Sequence, residues 1–343
     1  MSISADVLRS YRSIDEKTVD ELLAQEIKNN NKKIVVLDDD PTGVQTVHDI
    51  SVYTGWDADS LREAFAEENN LFYILTNSRG FTEEQTKAAH LEIADAVDRA
   101  AKEASRDYIF ISRSDSTLRG HYPLETRLLK ECYERNTGVK LDGEILCPFF
   151  KEGGRYTIGN VHYVKYGDEL VPAHETEFAK DKTFGYTAEN LPDYVEEKTA
   201  GEYKAKDVIS ISLEDIRSMD FDKIESQLMS AKNFNKIIVN AIDYSDIKVF
   251  AVALFRAMNA GKMFMFRTAA ALVKVMGGVS DMPLLTRSDM IVNETENGGI
   301  IVVGSHTAKT TSQLECLKEI ADIEFIELDA NLVRDEEGFA NEV

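Results

Sequence analysis

Four short polar stretches carry the residues of this sequence whose types could do chemistry together. They begin at Asp38, Thr76, Ser112 and Pro148, and each combines glycine with charged or hydroxyl side chains. Arginine binds carboxylates and phosphates through charged hydrogen bonds. Aspartate binds sugar-like hydroxyls and can take an alcohol proton as a general base. The residue types therefore indicate a site for a small anionic, hydroxylated molecule.

The elements that must position these stretches are buried strands. A short apolar run precedes each stretch, and the runs are continuous, as expected for strands covered on both faces of a parallel sheet. The predicted strands are 34–37, 72–75, 108–111, 145–147, 237–239, 263–266 and 300–303. Helical patterns alternate with them. The predicted helices begin with a capping box at Ser13, with another at Thr82, near Tyr122 with Pro123 in the first turn, and near Ser245. This alternation predicts an α/β fold with a parallel, Rossmann-like sheet.

Ligands of open parallel sheets bind beyond the carboxyl ends of the strands. The stretches would place Arg79, Arg113, Arg119 and Arg155 at that edge, together with the run Asp38–Asp40. Taken alone, an aspartate run is typical of a loop or helix cap, and a single arginine often pairs with a neighbouring carboxylate. Their joint occurrence at four strand ends favours a binding site.

Composition excludes several classes of protein. The 343 residues hold 61 Asp and Glu against 39 Lys and Arg, a net charge of −22, which argues against nucleic acid and anionic membranes as partners. Three separated cysteines and the lack of a signal peptide or membrane span predict a cytoplasmic protein. The common dinucleotide, P-loop, zincin and hydrolase motifs do not occur. His162, His174, Glu175 and Glu177 match no standard metal-ligand spacing, so we interpret them as loop residues.

A polar, glycine-ended stretch at 282–299 predicts a linker, with a first domain at 1–285 and a second at 286–343. In the second domain the predicted strand 300–303 runs into Gly304 and Ser305, and a helix follows from about Thr310. A strand, a Gly-Ser turn and a helix N-terminus could hold a phosphate. A turn that merely ends the strand is at least as common.

Several motifs resemble those of the four-carbon acid sugar kinase family. The match covers about residues 33–320. The motif Asp-Ser-Thr-Leu-Arg-Gly followed by Gly-Gly-Arg is specific for this family. The matching segments are Asp39–Gly43, Asn77–Arg79, Asp115–Gly120, Pro148–Arg155, Glu175–Asp181 and Gly304–Ser305.

The resemblance implies a sugar-acid domain followed by an ATP domain, and phosphoryl transfer from ATP, with Mg²⁺, to the terminal hydroxyl of a threonate- or erythronate-like acid. It implies that the sugar-acid pocket is lined by Asp39, Asp40, Arg79, Asp115 and Arg119. To these we add Arg155, which belongs to the same group of strand-end arginines. The resemblance also implies that Gly304 and Ser305 bind nucleotide. We favour Asp39 or Asp40 as the catalytic base.

One departure from the family concerns the nucleotide domain. Family members carry a later Gly-Gly-acid-Thr loop that holds the nucleotide phosphates, and this sequence reaches Val343 without one. We therefore expect an incomplete nucleotide-binding domain. The alternatives to a kinase are a non-catalytic sugar-acid-binding protein and a truncated remnant. A homodimer is plausible as a way to cover the open edge of the second domain.

Overall fold

The strands of this computed structural model form two sheets. The structure describes residues 2–291, 293, 297–305, 308–320 and 322–342. The strands in these ranges are β1 Ile3–Ser4, β2 Lys33–Asp38, β3 Val52–Tyr53, β4 Leu71–Leu75, β5 Tyr108–Arg113, β6 Gly143–Cys147, β7 Arg155–Ile158, β8 Val161–Tyr166, β9 Glu169–Pro172, β10 Ile209–Ile211, β11 Asn235–Val239 and β12 Phe264–Thr268.

The main sheet has eight strands in the order β10-β11-β6-β12-β5-β2-β4-β3, and every pair in it is parallel. Residues of β2, β5, β6 and β12 are buried along their whole length, so both faces of the sheet are covered. This confirms the predicted α/β class and the continuous apolar strands. The carboxyl ends of β6, β12, β5, β2 and β4 meet at one edge, which we call the carboxyl edge.

The α-helices of the described residues are α1 Glu16–Asn29, α2 Ala58–Ala66, α3 Glu83–Glu103, α4 Leu124–Thr137, α5 Leu191–Lys198, α6 Leu213–Arg217, α7 Phe221–Ser230, α8 Tyr244–Asn259, α9 Ala270–Met276, α10 Arg287–Met290, α11 Ala308–Lys318 and α12 Glu336–Glu342. Helices α2, α3 and α4 pack together, and α1, α6, α7, α8 and α9 form a second group. None of the described helices has both the length and the apolar character needed to cross a membrane.

The helix starts show where local patterns were decisive. The capping box at Thr82 is confirmed, because its side chain accepts the Gln85 amide and the Gln85 side chain accepts the Thr82 amide. The predicted cap at Ser13 is wrong, since Asp15 accepts the amide of Thr18 and α1 begins at Glu16. Pro123 is the N-cap of α4 rather than part of its first turn.

A second sheet, β1-β9-β8-β7, is antiparallel throughout. Strands β7, β8 and β9 follow β6 in the chain with no α-helix between them. The β7 strand leaves the carboxyl end of β6 through the loop 148–154 and begins with Arg155. This connection carries Arg155 to the carboxyl edge.

The chain divides into two units, Met1–Met282 and Pro283–Val343, and each is described by itself. The second unit contains α10, α11, α12 and the 3-10 helix Ala330–Arg334. The strand predicted at 300–303 is wrong, because these residues are exposed and pair with no strand in the described part of the unit. Thr310 donates a hydrogen bond to the Ser305 hydroxyl over 2.9 Å. The next two residues of the predicted phosphate turn, 306 and 307, lie outside the described residues.

Candidate functional site

Arg79 links two consecutive aspartates at the carboxyl edge. Its Nη2 and Nε donate to Oδ1 and Oδ2 of Asp39 over 2.6 and 3.2 Å, and its Nη1 donates to Oδ2 of Asp40 over 2.8 Å. Asp39 is only 3% exposed, whereas the Asp40 side chain is 25% exposed. Both oxygens of Asp39 are thus engaged by one guanidinium, and Asp40 is the more accessible carboxylate.

A buried ion pair lies directly beneath these aspartates. Asp38 and Arg113 are the last residues of β2 and β5 and are register partners. The Arg113 Nη1 donates to Oδ1 of Asp38 over 3.0 Å and lies 3.5 Å from Oδ1 of Asp39. Gly43 closes the loop over this pair, since a Cβ at that position would lie 1.8 Å from Oδ2 of Asp38. A side chain at 43 would displace the carboxylate.

The loop after β5 folds around Asp115. Its Oδ2 accepts the Nε of Arg119 over 2.8 Å, the Arg119 amide over 3.3 Å and the hydroxyl of Thr117. Gly120 ends the loop with φ +117°, and its α-carbon faces Asp39, whose Oδ2 would be 3.3 Å from an added Cβ. The positive φ and the close approach explain why glycine stands here. The loop therefore brings Asp115 and Arg119 to the Asp39 carboxylate.

Arg119 and Arg155 share one aromatic ring. Their guanidinium carbons lie 5.0 and 5.4 Å from the centroid of the half-buried Phe178. One Nη of Arg155 donates to the Gly153 carbonyl, but its Nε is buried with no hydrogen-bond partner in the described structure. Nor does any described carboxylate lie within ion-pair distance of Arg155. In a protein with 22 excess negative charges, this arginine is available to an incoming anion.

A second buried ion pair completes the edge, and the sequence analysis did not include it in the site. Arg267 Nη1 lies 3.4 Å from Oε2 of Glu125, and its Nη2 donates to the Arg119 carbonyl over 3.1 Å. Ser78 donates to Oε1 of Glu125 over 2.9 Å. The Arg267 guanidinium also lies 4.8 Å from the ring of Tyr122. Applying the strand-end rule to 263–266 would have found Arg267, whereas Glu125 looks like any acid in a first helical turn.

Burial and neighbouring charges give the four aspartates different pKa values. Burial raises the pKa of Asp38 to about 7 and that of Asp39 to about 6, against the lowering effect of Arg113 and Arg79. For Asp40, burial is outweighed by the Thr42 hydrogen bond and the Arg79 charge, which lower its pKa. For Asp115, burial is likewise outweighed, by the Arg119 hydrogen bond and the Arg79 charge, and its pKa falls to about 2. Asp40 and Asp115 are therefore ionised at neutral pH and can accept hydrogen bonds from hydroxyl groups.

Six predicted residues meet at the carboxyl edge: Asp39, Asp40, Arg79, Asp115, Arg119 and Arg155. We call them the edge cluster. Gly304 and Ser305 lie in the second unit. The interpretation of His162 as a loop residue is wrong, because it lies in β8. Its Nε2 lies 2.7 Å from the Ser116 carbonyl oxygen, and burial lowers its pKa to about 4. Among the described residues, no group of three His, Cys, Asp or Glu side chains could hold a metal ion.

A parallel α/β sheet whose carboxyl edge presents arginines and aspartates defines a class of small-molecule-binding proteins. The sequence profile described as the sugar-binding N-terminal domain matches residues 34–276. The chain belongs to this family. No curated protein matches it.

The solved structures that resemble the chain include the following two. One is a domain of unknown function, DUF1537, from Bordetella bronchiseptica, with bound citrate in a domain-swapped dimer. It is 17% identical, with 90% of this chain and 68% of that chain covered and a TM-score of 0.51. The other is a Haemophilus influenzae protein of the same DUF1537 family, 17% identical, with 90% and 70% covered and a TM-score of 0.46. The first likeness supports the fold.

Proposed function

We propose that this chain holds the substrate of an ATP-dependent kinase that phosphorylates the terminal hydroxyl of a threonate- or erythronate-like acid. The observation that carries the proposal is Arg155, a half-buried guanidinium without a carboxylate partner in the described structure, beside the ionised Asp115. A guanidinium of this kind attracts a carboxylate, and a neighbouring aspartate accepts hydrogen bonds from hydroxyls. A hydroxylated acid presents both groups.

In this proposal the residues of the edge cluster have different roles. Arg155 and Arg119 hold the acid's carboxylate, and Asp115 accepts its hydroxyls. Asp40 receives the proton of the hydroxyl that is phosphorylated, because it is ionised and more exposed than Asp39. Asp39 fixes Arg79, whose charge lies next to Asp40. Phosphoryl transfer depends mainly on positioning and charge neutralisation, so this arrangement suits the reaction.

Mg²⁺ would enter this reaction bound to the ATP phosphates, as it does in many kinases. We assign no protein ligand to it, since Asp38, Asp39, Asp40 and Asp115 are each paired with an arginine. Gly304 and Ser305 are our proposed nucleotide contacts in the second unit.

The test combines binding with turnover. Calorimetry of the full chain with D-threonate, L-threonate and D-erythronate should show one acid binding, whereas threitol, which lacks the carboxylate, should not bind. Arg155→Gln should weaken binding of the acid by about 10- to 100-fold, which corresponds to the free energy of one charged hydrogen bond. Lys165→Gln is the matched control, because Lys165 is an exposed cation on the neighbouring β8.

ADP release from Mg·ATP in the presence of the bound acid would support the kinase. Binding of the acid without ADP release would instead support a non-catalytic sugar-acid-binding protein. If threitol bound as well as threonate, or if the two variants behaved alike, the assignment of the carboxylate to Arg155 would be wrong.

A further inference from the structure

A cavity of about 440 Å³ opens at the opposite, amino edge of the main sheet. It lies between the C-terminal ends of α3 and α4, at the start of β5. The residues of interest in its lining are Lys32, Asp98, Lys102, Arg106, Asp107 and Tyr108. Its volume is within the range of small-molecule sites, and no residue of the edge cluster lines it.

Two cations of this cavity have no anionic partner in the described part of the chain. Lys102 pairs with Asp98 over 2.7 Å and donates to the Asn136 carbonyl over 3.2 Å, at the end of α4. Lys32 and Arg106 form no ion pair with any described carboxylate, although Asp107 is adjacent. Burial, and then the charge of Arg106, lower the pKa of the neighbouring Lys33 to about 8. The cavity lining thus holds three cations and two carboxylates, a net charge of +1 within a strongly acidic protein.

Two buried polar atoms in the lining of this cavity, one donor and one acceptor, also lack hydrogen-bond partners in the described structure. Tyr108 is 4% exposed, and its hydroxyl has no hydrogen-bond partner in the described structure. Asp98 is 5% exposed, and its Oδ1 is likewise unpaired, whereas Oδ2 accepts Lys102. Buried polar groups normally find partners. One hydroxyl group that accepts from Tyr108 and donates to Asp98 would satisfy both.

We propose that this cavity is a second ligand site, which takes a small hydroxylated anion. The anionic group faces Lys32 and Arg106, and a hydroxyl lies between Tyr108 and Asp98. Tyr108 and Arg113 are the first and last residues of β5, so at ~3.3 Å per residue the ligand lies roughly 17 Å from the carboxyl edge. A ligand at this distance does not compete with the substrate for the edge cluster.

The probe for the test is glycerol 3-phosphate, which carries both an anion and hydroxyls. Methyl phosphate lacks the free hydroxyls, and glycerol lacks the anion. Calorimetry is performed on the full chain carrying Arg155→Gln, which impairs the edge cluster, and on the same chain with Lys32→Gln and Arg106→Gln added. A matched pair, Lys17→Gln with Lys87→Gln, removes two charges from exposed lysines elsewhere. Thermal melts establish that each variant is folded.

We expect one molecule of glycerol 3-phosphate to bind, and to bind more tightly than either fragment. Loss of Lys32 and Arg106 should weaken it by about tenfold or more, as expected for charge-assisted contacts, and the control pair should leave it unchanged. Tyr108→Phe should weaken glycerol 3-phosphate but not methyl phosphate. Absence of binding, an equal effect of the control pair, or an unchanged affinity in folded Tyr108→Phe would overturn the proposal. None of these outcomes depends on the kinase hypothesis.

Discussion

Replacing Phe178 by leucine tests whether its ring organises the two arginines that we assign to the carboxylate. The ring centroid lies 5.0 Å from the guanidinium carbon of Arg119 and 5.4 Å from that of Arg155. Leucine keeps apolar volume but removes the π-face that attracts guanidinium groups. Arg119 would keep its bond to Asp115 and Arg155 its bond to the Gly153 carbonyl, but both would lose the ring on which they converge.

The expected loss of binding free energy follows from the number of cation–π contacts that the substitution removes. A cation–π contact at a partly exposed site contributes about 0.5–1 kcal/mol, so the two contacts together contribute about 1–2 kcal/mol. At 1.4 kcal/mol per factor of ten, the sugar acid should bind about 5- to 30-fold more weakly in Phe178→Leu. Phe178→Tyr keeps the ring and should retain most of the affinity.

Calorimetric titration with the sugar acid measures this difference directly. Phe221→Leu is the matched control, because the ring of Phe221 lies 5.2 Å from the Arg256 guanidinium, in the helical layer formed by α7 and α8. That variant should lose some stability but no affinity. The reasoning is refuted if Phe178→Leu binds the acid as the unmodified chain does, or if both variants weaken binding equally.

Three further predictions concern stability, measured by urea denaturation. Glu125→Leu should cost about 3–5 kcal/mol, because it leaves the Arg267 guanidinium buried without its ion-pair partner; a loss below 1 kcal/mol would mean that the pair is dispensable. Gly43→Ala should cost about 1–3 kcal/mol through its contact with Asp38, whereas Gly80→Ala, with open space around it, should change little; equal effects would contradict the close approach. The pKa of Asp38 is raised when folded, to about 7, so the folded state holds this proton more tightly and stability falls as the pH rises from about 4 to about 7. Across that window the free energy of unfolding should fall by up to about 4 kcal/mol more in the unmodified chain than in Asp38→Asn, and parallel pH profiles would contradict the shift.

Local patterns in the sequence were sufficient for six of the eight strands of the main sheet and for the helices α1, α3, α4, α8 and α11. The continuous apolar runs became the central strands because such runs need cover on both faces. The Thr82 capping box fixed the start of α3, since both of its hydrogen bonds form within four residues. Polar side chains after 37, 75, 111 and 147 had to lie at one edge once the strands were parallel.

Other local patterns were ambiguous because two outcomes satisfied them equally. Ser13 and Asp15 are both good N-cap residues, and in the structure Asp15 takes this role. The apolar run 300–303 has strand propensity, but strand formation requires a partner, and the described part of the second unit offers none. Propensity alone cannot supply such a partner.

The order of the strands was decided by the tertiary structure alone. β12, late in the chain, inserts between β5 and β6 and pairs with both, which places Arg267 against Glu125 and the Arg119 carbonyl. The sequence by itself determined which polar residues follow the apolar runs, because the order of residues along the chain is local information. Which arginine meets which carboxylate in the site depends on contacts such as that of Arg267 with Glu125, 142 positions apart, and only the folded sheet brings those residues together.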